Sequence, residues 1–271
     1  MTQNKTINIG PHSAQLSYLN VKGEQMKIDG ESFYKISNVN GMRPFFMSIV
    51  SHSNHWMFIS STGALSAGRK DSDAALFPYY TDDKISDSFE TTGSKSIFLV
   101  EKNGQTFLWE PFSLRQASLY KISRNLYKNA FGNKVIFEEI NHDLEIRFTY
   151  EWNSTDRYGF VRKSSLYNTA NSAVKVQFID GIQNVLPYGI EEALQNGTSN
   201  LVDAYKRTEL VEGSSLAIFA LSAIIVDKAE PSEALKSNVA WSIGLENPTI
   251  LLSSLQLDAF RRGQEVSQET D

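Results

Sequence analysis

The chain has 271 residues with 41% hydrophobic and 11% aromatic content, which is enough for one large all-β domain or two ordinary domains, and we expect a single domain over residues 1–271. The formal net charge of −5 and the pI near 5.5 provide no basic surface for a polyanion, so nucleic acids and anionic membranes are not expected partners. The absence of cysteine excludes disulfides and thiolate ligands, and no window approaches the roughly 18 apolar residues of a membrane span, so we expect a soluble cytoplasmic protein without a cofactor.

The N-terminal part of the chain has the pattern of short antiparallel strands. Residues 14–39 alternate apolar and polar side chains around two glycine-centred turns. His52 and His55 follow, three positions apart in an extended segment, where their side chains point to opposite faces. They are therefore not expected to share a metal ion.

Residues 64–84 are predicted to form a long excursion between strands without secondary structure of its own. An adjacent basic pair and Pro78 interrupt any strand period, and a loop of this length is uncommon unless it has a function. Aromatic faces together with carboxylate and guanidinium groups are suited to sugar recognition. The predicted ligand-binding residues are Arg69, Asp73, Phe77, Tyr79, Tyr80, Asp82 and Asp83. The alternative is that these aromatic side chains pack onto their own sheet.

Most of the remaining sequence is also β-rich. Lys102-Asn103-Gly104 joins two strand-like runs, and Asn-Gly supplies the positive φ angles of a two-residue hairpin turn. Five further runs lie between residues 119 and 182, with turn residues between them. Residues 144–152 keep strict period two, which indicates one buried face and an outward face formed by Glu145, Arg147, Thr149 and Glu151.

The C-terminal third adds strand-like runs at residues 203–212, 215–226 and 234–243. Short helices are predicted near residues 190–195 and after Ser253. About a dozen strands without alternating helices indicate antiparallel sheets packed face to face. The expected fold is an all-β, large antiparallel β-sandwich, a supersandwich, with short helices.

Four segments carry a resemblance to a known family. They are FPYYTDDK at residues 77–84, WEPFSLRQ at 109–116, RKSSLYNT at 162–169 and FIDGIQNVLPYG at 178–189. Together with the long sandwich they resemble the N-terminal β-supersandwich of cellobiose phosphorylase-like carbohydrate-active enzymes, which is similar to the galactose mutarotase-like sandwich. The resemblance implies a carbohydrate ligand and a C-terminal helical catalytic domain later in the same chain. In that family the helical barrel carries the general acid and the phosphate site, so no catalytic residue is assigned here.

Three functions remain open on this basis. The first is a non-catalytic carbohydrate-binding or scaffold domain of a glycoside phosphorylase or hydrolase, which would turn over no disaccharide in isolation. The second is a mutarotase-like sugar epimerase, which needs a histidine acid and a carboxylate base. Its candidates are His52 or His55 with Glu110 or Glu90. The third is a protein-interaction module whose aromatic loop docks on another domain or subunit, and a homodimer is also left open.

Overall fold

The computed structural model describes residues 5–16, 19–116, 118–197, 199–223 and 236–271. The chain divides into two compact units. Unit 1 comprises Met1–Gly63 and Ser96–Ile179, and unit 2 comprises Ala64–Lys95 and Asp180–Asp271. The single domain expected over residues 1–271 stays a prediction, and each unit is described by itself.

Unit 1 consists of strands with one short 3-10 helix among its described residues. In chain order the elements are β1 (Lys5–Ile9), β2 (His12–Leu16), β3 (Lys22–Ile28), β4 (Glu31–Ser37), the 3-10 helix Val39–Gly41, β5 (Phe46–Ile49) and β6 (His55–Ser60). Unit 2 then contributes β7 (Leu65–Arg69) and β8 (Ala75–Phe77). The chain continues with β9 (Gly93–Lys102), β10 (Gln105–Trp109), β11 (Ile122–Asn129), β12 (Val135–Asn141), β13 (Ile146–Thr155), β14 (Gly159–Asn168) and β15 (Lys175–Gln183). Strands β9 and β15 contain the points at which the chain changes unit.

The core of unit 1 lies between two sheets. A six-stranded antiparallel sheet has the order β14-β13-β12-β11-β4-β3, and a three-stranded sheet has the order β10-β9-β15. On β13 the buried and half-buried side chains alternate, as the period-two pattern predicted. The ring of Phe148 on this strand lies 5.1 Å from that of Phe98 on β9, centroid to centroid. The predicted all-β antiparallel sandwich with short helices is therefore confirmed.

Three turns set the alignment of the unit 1 strands. The β9–β10 hairpin turns at Asn103 and Gly104, with φ of 53° and 74°, and this confirms the predicted Asn-Gly turn. Between β11 and β12, the Oδ1 atom of Asn129 accepts a hydrogen bond from the backbone N–H of Lys134 at 3.0 Å. Between β12 and β13, the Oδ1 atom of Asn141 accepts from the backbone N–H groups of Asp143 and Leu144 at 3.1 and 3.0 Å. Both asparagines thus satisfy turn backbone that would otherwise lack partners.

Unit 2 begins with the segment that was predicted to lack secondary structure, and that prediction is wrong. Residues 64–84 contain β7 (Leu65–Arg69), the 3-10 helix Ser72–Ala74, β8 (Ala75–Phe77) and the first turn of α1 (Asp82–Asp87). The strand was missed because the first four residues of β7 are all buried, so that no polar alternation marks it. Pro78 comes directly after β8 and does not interrupt it.

The rest of unit 2 combines short helices with one antiparallel sheet. Its elements are α2 (Glu192–Gly197), α3 (Ser199–Tyr205), β16 (Lys206–Leu210), β17 (Leu216–Leu221), β18 (Asn238–Trp241) and α4 (Leu257–Arg261). The sheet order is β16-β17-β18. Helices α2 and α4 lie where short helices were predicted, whereas α1 and α3 were not predicted. The strands predicted at 215–226 and 234–243 run partly outside the described residues, in residues 224–235.

Candidate functional site

The residues predicted to bind a ligand all lie in unit 2, with different exposures. Arg69, Asp73, Asp82 and Asp83 are exposed, Tyr79 and Tyr80 are half-buried, and Phe77 is buried. Phe77 has a relative exposure of 0%, so its ring has no surface to offer a ligand. We therefore leave Phe77 out of any site proposed below.

Two of the predicted carboxylates contact the starts of helices. The Oδ1 atom of Asp73 accepts a hydrogen bond from the backbone N–H of Glu192, the first residue of α2, at 3.0 Å. The hydroxyl of Thr81 donates to Asp83 in the first turn of α1, and this hydrogen bond is the main reason why the pKa of Asp83 is lowered. The Asp73 contact caps the N-terminus of α2, whereas Asp83 lies in the first turn of α1, where the helix dipole favours a carboxylate. Both contacts give these aspartates a structural role.

The predicted tyrosines have neighbours from other parts of unit 2. The backbone N–H of Tyr79 donates to Oε1 of the buried Gln195 at 2.9 Å. The Nζ atom of Lys84 lies 5.5 Å from the ring centroid of Tyr80. Burial raises the pKa of Tyr80, and the charge of Asp203 raises it further. The structure thus brings Tyr80 together with Lys84 and Asp203, neither of which belonged to the predicted ligand-binding set.

A second group of polar and aromatic side chains lies on the face of the six-stranded sheet that points away from Phe98 and Trp109. We call this surface the outer face. The strand registers place the following residues on it: Lys35 on β4, Asn125 and Tyr127 on β11, Glu138 on β12, Arg147, Thr149 and Glu151 on β13, and Lys163, Ser165 and Tyr167 on β14. All of them belong to unit 1.

Glu138 is the buried acid of the outer face, with 7% relative exposure. Its Oε1 atom accepts two hydrogen bonds of 2.7 Å, one from Nδ2 of Asn125 and one from the hydroxyl of Tyr127. Burial raises the pKa of Tyr127, and the hydrogen bond to Glu138 raises it further. Both donors hold the carboxylate in one orientation, in which Oε2 faces Nη1 of Arg147 at 3.6 Å.

Arg147 connects this carboxylate to an exposed aromatic ring. Its guanidinium carbon lies 4.1 Å from the ring centroid of Tyr167, directly across from it in the β13–β14 register. The Arg147 side chain is 39% exposed and Tyr167 is 42% exposed. The Nε atom of Arg147 is buried, and no hydrogen-bond partner for it is found in the part of the chain that the structure describes. Stacking fixes the plane of the guanidinium, so that its remaining N–H groups project in a defined direction.

Hydroxyl groups and a second charge pair lie next to Arg147. Thr149 is directly opposite both Glu138 and Ser165, and the next position pairs Glu151 with Lys163. Thr149 and Ser165 are half-buried. Hydroxyl side chains both donate and accept hydrogen bonds. The outer face therefore offers carboxylate, guanidinium and hydroxyl groups beside a partly exposed ring.

No protein-family model and no curated protein matches the chain. The outer face also lacked any motif in the sequence. Of the four residues predicted to face outward, Arg147, Thr149 and Glu151 belong to it, whereas Glu145 lies in the turn before β13. Glu138 and Tyr167, the partners of Arg147, belong to other strands. The signal that would have found them is the register of the two hairpins that contain β12, β13 and β14.

The inner face of the same sheet carries a different acid, Glu139, which is 1% exposed. Its carboxylate accepts from Nε1 of Trp109 at 2.9 Å, from the backbone N–H of Phe112 at 2.7 Å and from Nε of Arg124 at 2.6 Å. Trp109, Glu110 and Arg124 also line a narrow crevice next to this network. The WEPFSLRQ segment singled out in the sequence is thus held by a buried ion pair, and we assign this network to folding.

The two histidines of the metal and acid–base hypotheses, His52 and His55, belong to unit 1. Nε2 of His52 contacts Oδ2 of Asp156 at 2.8 Å, and Oγ of Ser53 contacts Nδ1 of His55 at 2.8 Å. Hydrogen bonds from Ser53 and His52 lower the pKa of Asp156. The carboxylate beside His52 is thus Asp156, whereas the epimerase hypothesis named Glu110 or Glu90.

Within the part of the chain that the structure describes, no three His, Asp or Glu side chains are grouped so as to hold a metal ion. Among the same residues, no helix is both long and apolar enough to cross a lipid bilayer.

Proposed function

We propose that this chain is a non-catalytic carbohydrate-binding domain and that the outer face is its binding surface. One observation carries the proposal: the guanidinium of Arg147 is stacked at 4.1 Å on the exposed ring of Tyr167 and lies 3.6 Å from the carboxylate of Glu138. An aromatic ring provides the apolar surface on which one side of a pyranose ring packs. The planar charged groups beside it bind hydroxyls in fixed directions.

The hydrogen-bonding capacity of these groups matches a ligand rich in hydroxyls. The two donors to Oε1 of Glu138 leave Oε2 for a further donor, and Arg147 supplies N–H groups at a short distance. Thr149 and Ser165 add groups that donate and accept. The segments that resemble cellobiose phosphorylase-like sandwiches support the same ligand class. On that resemblance, the domain would accompany a helical catalytic domain in a longer enzyme.

The proposal is tested by screening the protein on a glycan array and titrating the best ligands by calorimetry. Tyr167→Ala should weaken binding about fivefold, because one aromatic stacking contact contributes about 1 kcal/mol. Tyr158→Ala is the matched control, since Tyr158 is 50% exposed and lies 5.2 Å from the guanidinium carbon of Arg157 but is outside the outer face. Equal affinities for wild type and Tyr167→Ala would contradict the proposed site.

The binding role predicted for Tyr79 and Tyr80 is tested in the same titrations. Tyr79→Ala and Tyr80→Ala should weaken binding several-fold if the unit 2 residues contact sugar. Loss of affinity in these variants, with none in Tyr167→Ala, would move the binding surface to unit 2. An array on which wild-type protein binds no glycan would exclude the carbohydrate function itself and leave the protein-interaction hypothesis.

A further inference from the structure

We infer that the outer face selects electrically neutral glycans over glycans that carry uronic acids or other anionic groups. This inference rests on the proposed carbohydrate function and specifies the ligand class. It follows from the arrangement of charges around the exposed part of the face, on strands β12, β13 and β14.

The charges on these three strands are paired. Glu138 lies 3.6 Å from Arg147, and Glu151 is directly opposite Lys163 in the β13–β14 register. Two acids and two bases therefore give this part of the face no net charge. Farther along the same face the pattern repeats, with Glu24 lying 3.3 Å from Lys35.

A sugar hydroxyl and a uronate carboxylate interact differently with the paired charges of Glu138 and Arg147. A sugar hydroxyl can donate to Oε2 of Glu138 while it accepts from an N–H of Arg147, so both groups gain a partner. A uronate carboxylate attracts Arg147 but has no proton for Glu138, which repels it from nearly the same position. Charged groups that are placed against a like charge lose binding, and specificity arises from this repulsion as much as from attraction.

The decisive variant is Glu138→Gln. The glutamine oxygen still accepts from Asn125 and Tyr127, so the hydrogen bonds that hold the side chain are kept. The negative charge beside Arg147 is removed, and the guanidinium becomes available to an anionic ligand. We expect affinity for uronates to rise roughly tenfold, the factor typical of one hydrogen bond to a charged group.

Glu24→Gln is the matched control. It also removes one carboxylate from an ion pair on the outer face, but on β3, and its partner is Lys35 rather than Arg147. The variant changes the net charge of the protein by the same amount, so any general electrostatic effect on anionic ligands appears equally in both variants. We expect Glu24→Gln to have the sugar preference of the wild type.

The experiment is isothermal titration calorimetry with glucose, galactose and mannose and with the corresponding uronates, using wild type, Glu138→Gln and Glu24→Gln. The wild type should bind the neutral sugars at least tenfold more tightly than the uronates, and Glu138→Gln should reverse or abolish that ratio. Circular dichroism checks that the variant is folded. If Glu138→Gln does not fold, Glu151→Gln gives the same test at the half-buried Glu151, which lies opposite the exposed Lys163.

Three results would count against the inference, and they separate it from the proposed function. Wild-type protein that binds uronates as tightly as neutral sugars would overturn the selectivity and leave carbohydrate binding intact. A uronate affinity that rises equally in Glu138→Gln and Glu24→Gln would show that the net charge of the protein, not the charge arrangement beside Arg147, determines the preference for neutral sugars. Wild-type protein that binds neither class would remove both proposals.

Discussion

Replacing Glu139 by leucine should destabilise unit 1 more than any outer-face substitution. The carboxylate accepts hydrogen bonds from Trp109, Phe112 and Arg124, and both Glu139 and Arg124 are buried, with 1% and 9% exposure. In Glu139→Leu the guanidinium stays buried without its counter-charge, which costs roughly 3–5 kcal/mol. For a chain of this size, such a loss lowers Tm by roughly 6–20 °C.

The double variant Glu139→Leu/Arg124→Met separates charge from packing. Apolar replacement of a whole buried ion pair is often neutral or stabilising, so this variant should recover much of the loss. The recovery should be incomplete, because the N–H groups of Trp109 and Phe112 still lack an acceptor, at about 1–3 kcal/mol for each unsatisfied group. Glu139→Leu bears the same two costs in addition to the unpaired guanidinium, so the double variant should lie between the single variant and the wild type.

The assay is urea and thermal denaturation followed by circular dichroism and tryptophan fluorescence on wild type, both single variants and the double variant. If the unfolding free energy of Glu139→Leu lies within about 1 kcal/mol of the wild-type value, the reasoning is refuted, because burying a charge without its counter-charge should cost more than that. A double variant as unstable as Glu139→Leu would show that the buried, unpaired charge of Arg124 is not the source of the loss.

Two further predictions concern a tight backbone contact at Gly63 and the pKa of Glu31. Gly63→Ala should destabilise the protein more than Gly104→Ala. Both glycines have positive φ, but a Cβ at Gly63 would lie 2.5 Å from the hydroxyl of Tyr150, whereas a Cβ at Gly104 would meet no atom within 4 Å. The difference in unfolding free energy, measured by denaturation, should be about 1–3 kcal/mol, and equal losses in the two variants would contradict this prediction. Hydrogen bonds from Lys134 and Asn129 lower the pKa of Glu31 below its ordinary value of 4.5, so its stabilisation is present above that pH and is lost as the pH falls through the folded-state pKa. An NMR titration should show this carboxyl titrating below 4.5 in wild type and higher in Lys134→Met, and an unchanged midpoint would show that Lys134 does not cause the shift.

Strands with one solvent-exposed face could be predicted from the sequence. The alternation over residues 144–152 gave the buried face of β13, and Asn103-Gly104 gave the hairpin between β9 and β10. Strand β7 was missed for the opposite reason, because its first four residues are buried and no polar position interrupts them. The alternation of apolar and polar residues that identifies a strand arises only when one of its faces is exposed to solvent, so a strand buried on both faces lacks this signal.

The candidate site was predictable only in part, because its neighbours are far apart along the chain. Arg147 was predicted to face outward, but the ring that stacks on it is Tyr167, and the acid beside it is Glu138 on the preceding strand. Both contacts depend on the register of strand pairs, which a single sequence does not determine. The unit 2 residues were predicted as a binding set because they are close together in the sequence, yet Phe77 belongs to the core and Asp73 contacts the start of α2.

The sequence of β12, VIFEEIN, can adopt two alignments that look almost alike. Val135, Phe137 and Glu139 face the core, and shifting the strand by one residue would turn Ile136, Glu138 and Ile140 towards it instead, which is again two apolar side chains and one acid. The apolar pattern of the strand alone therefore does not decide between the two pairings. The observed alignment is distinguished by Glu139, which accepts from Trp109, Phe112 and Arg124 on the core side. It is distinguished also by the turn asparagines at the two ends of the strand, Asn129 and Asn141, whose side chains accept from the backbone of the turns.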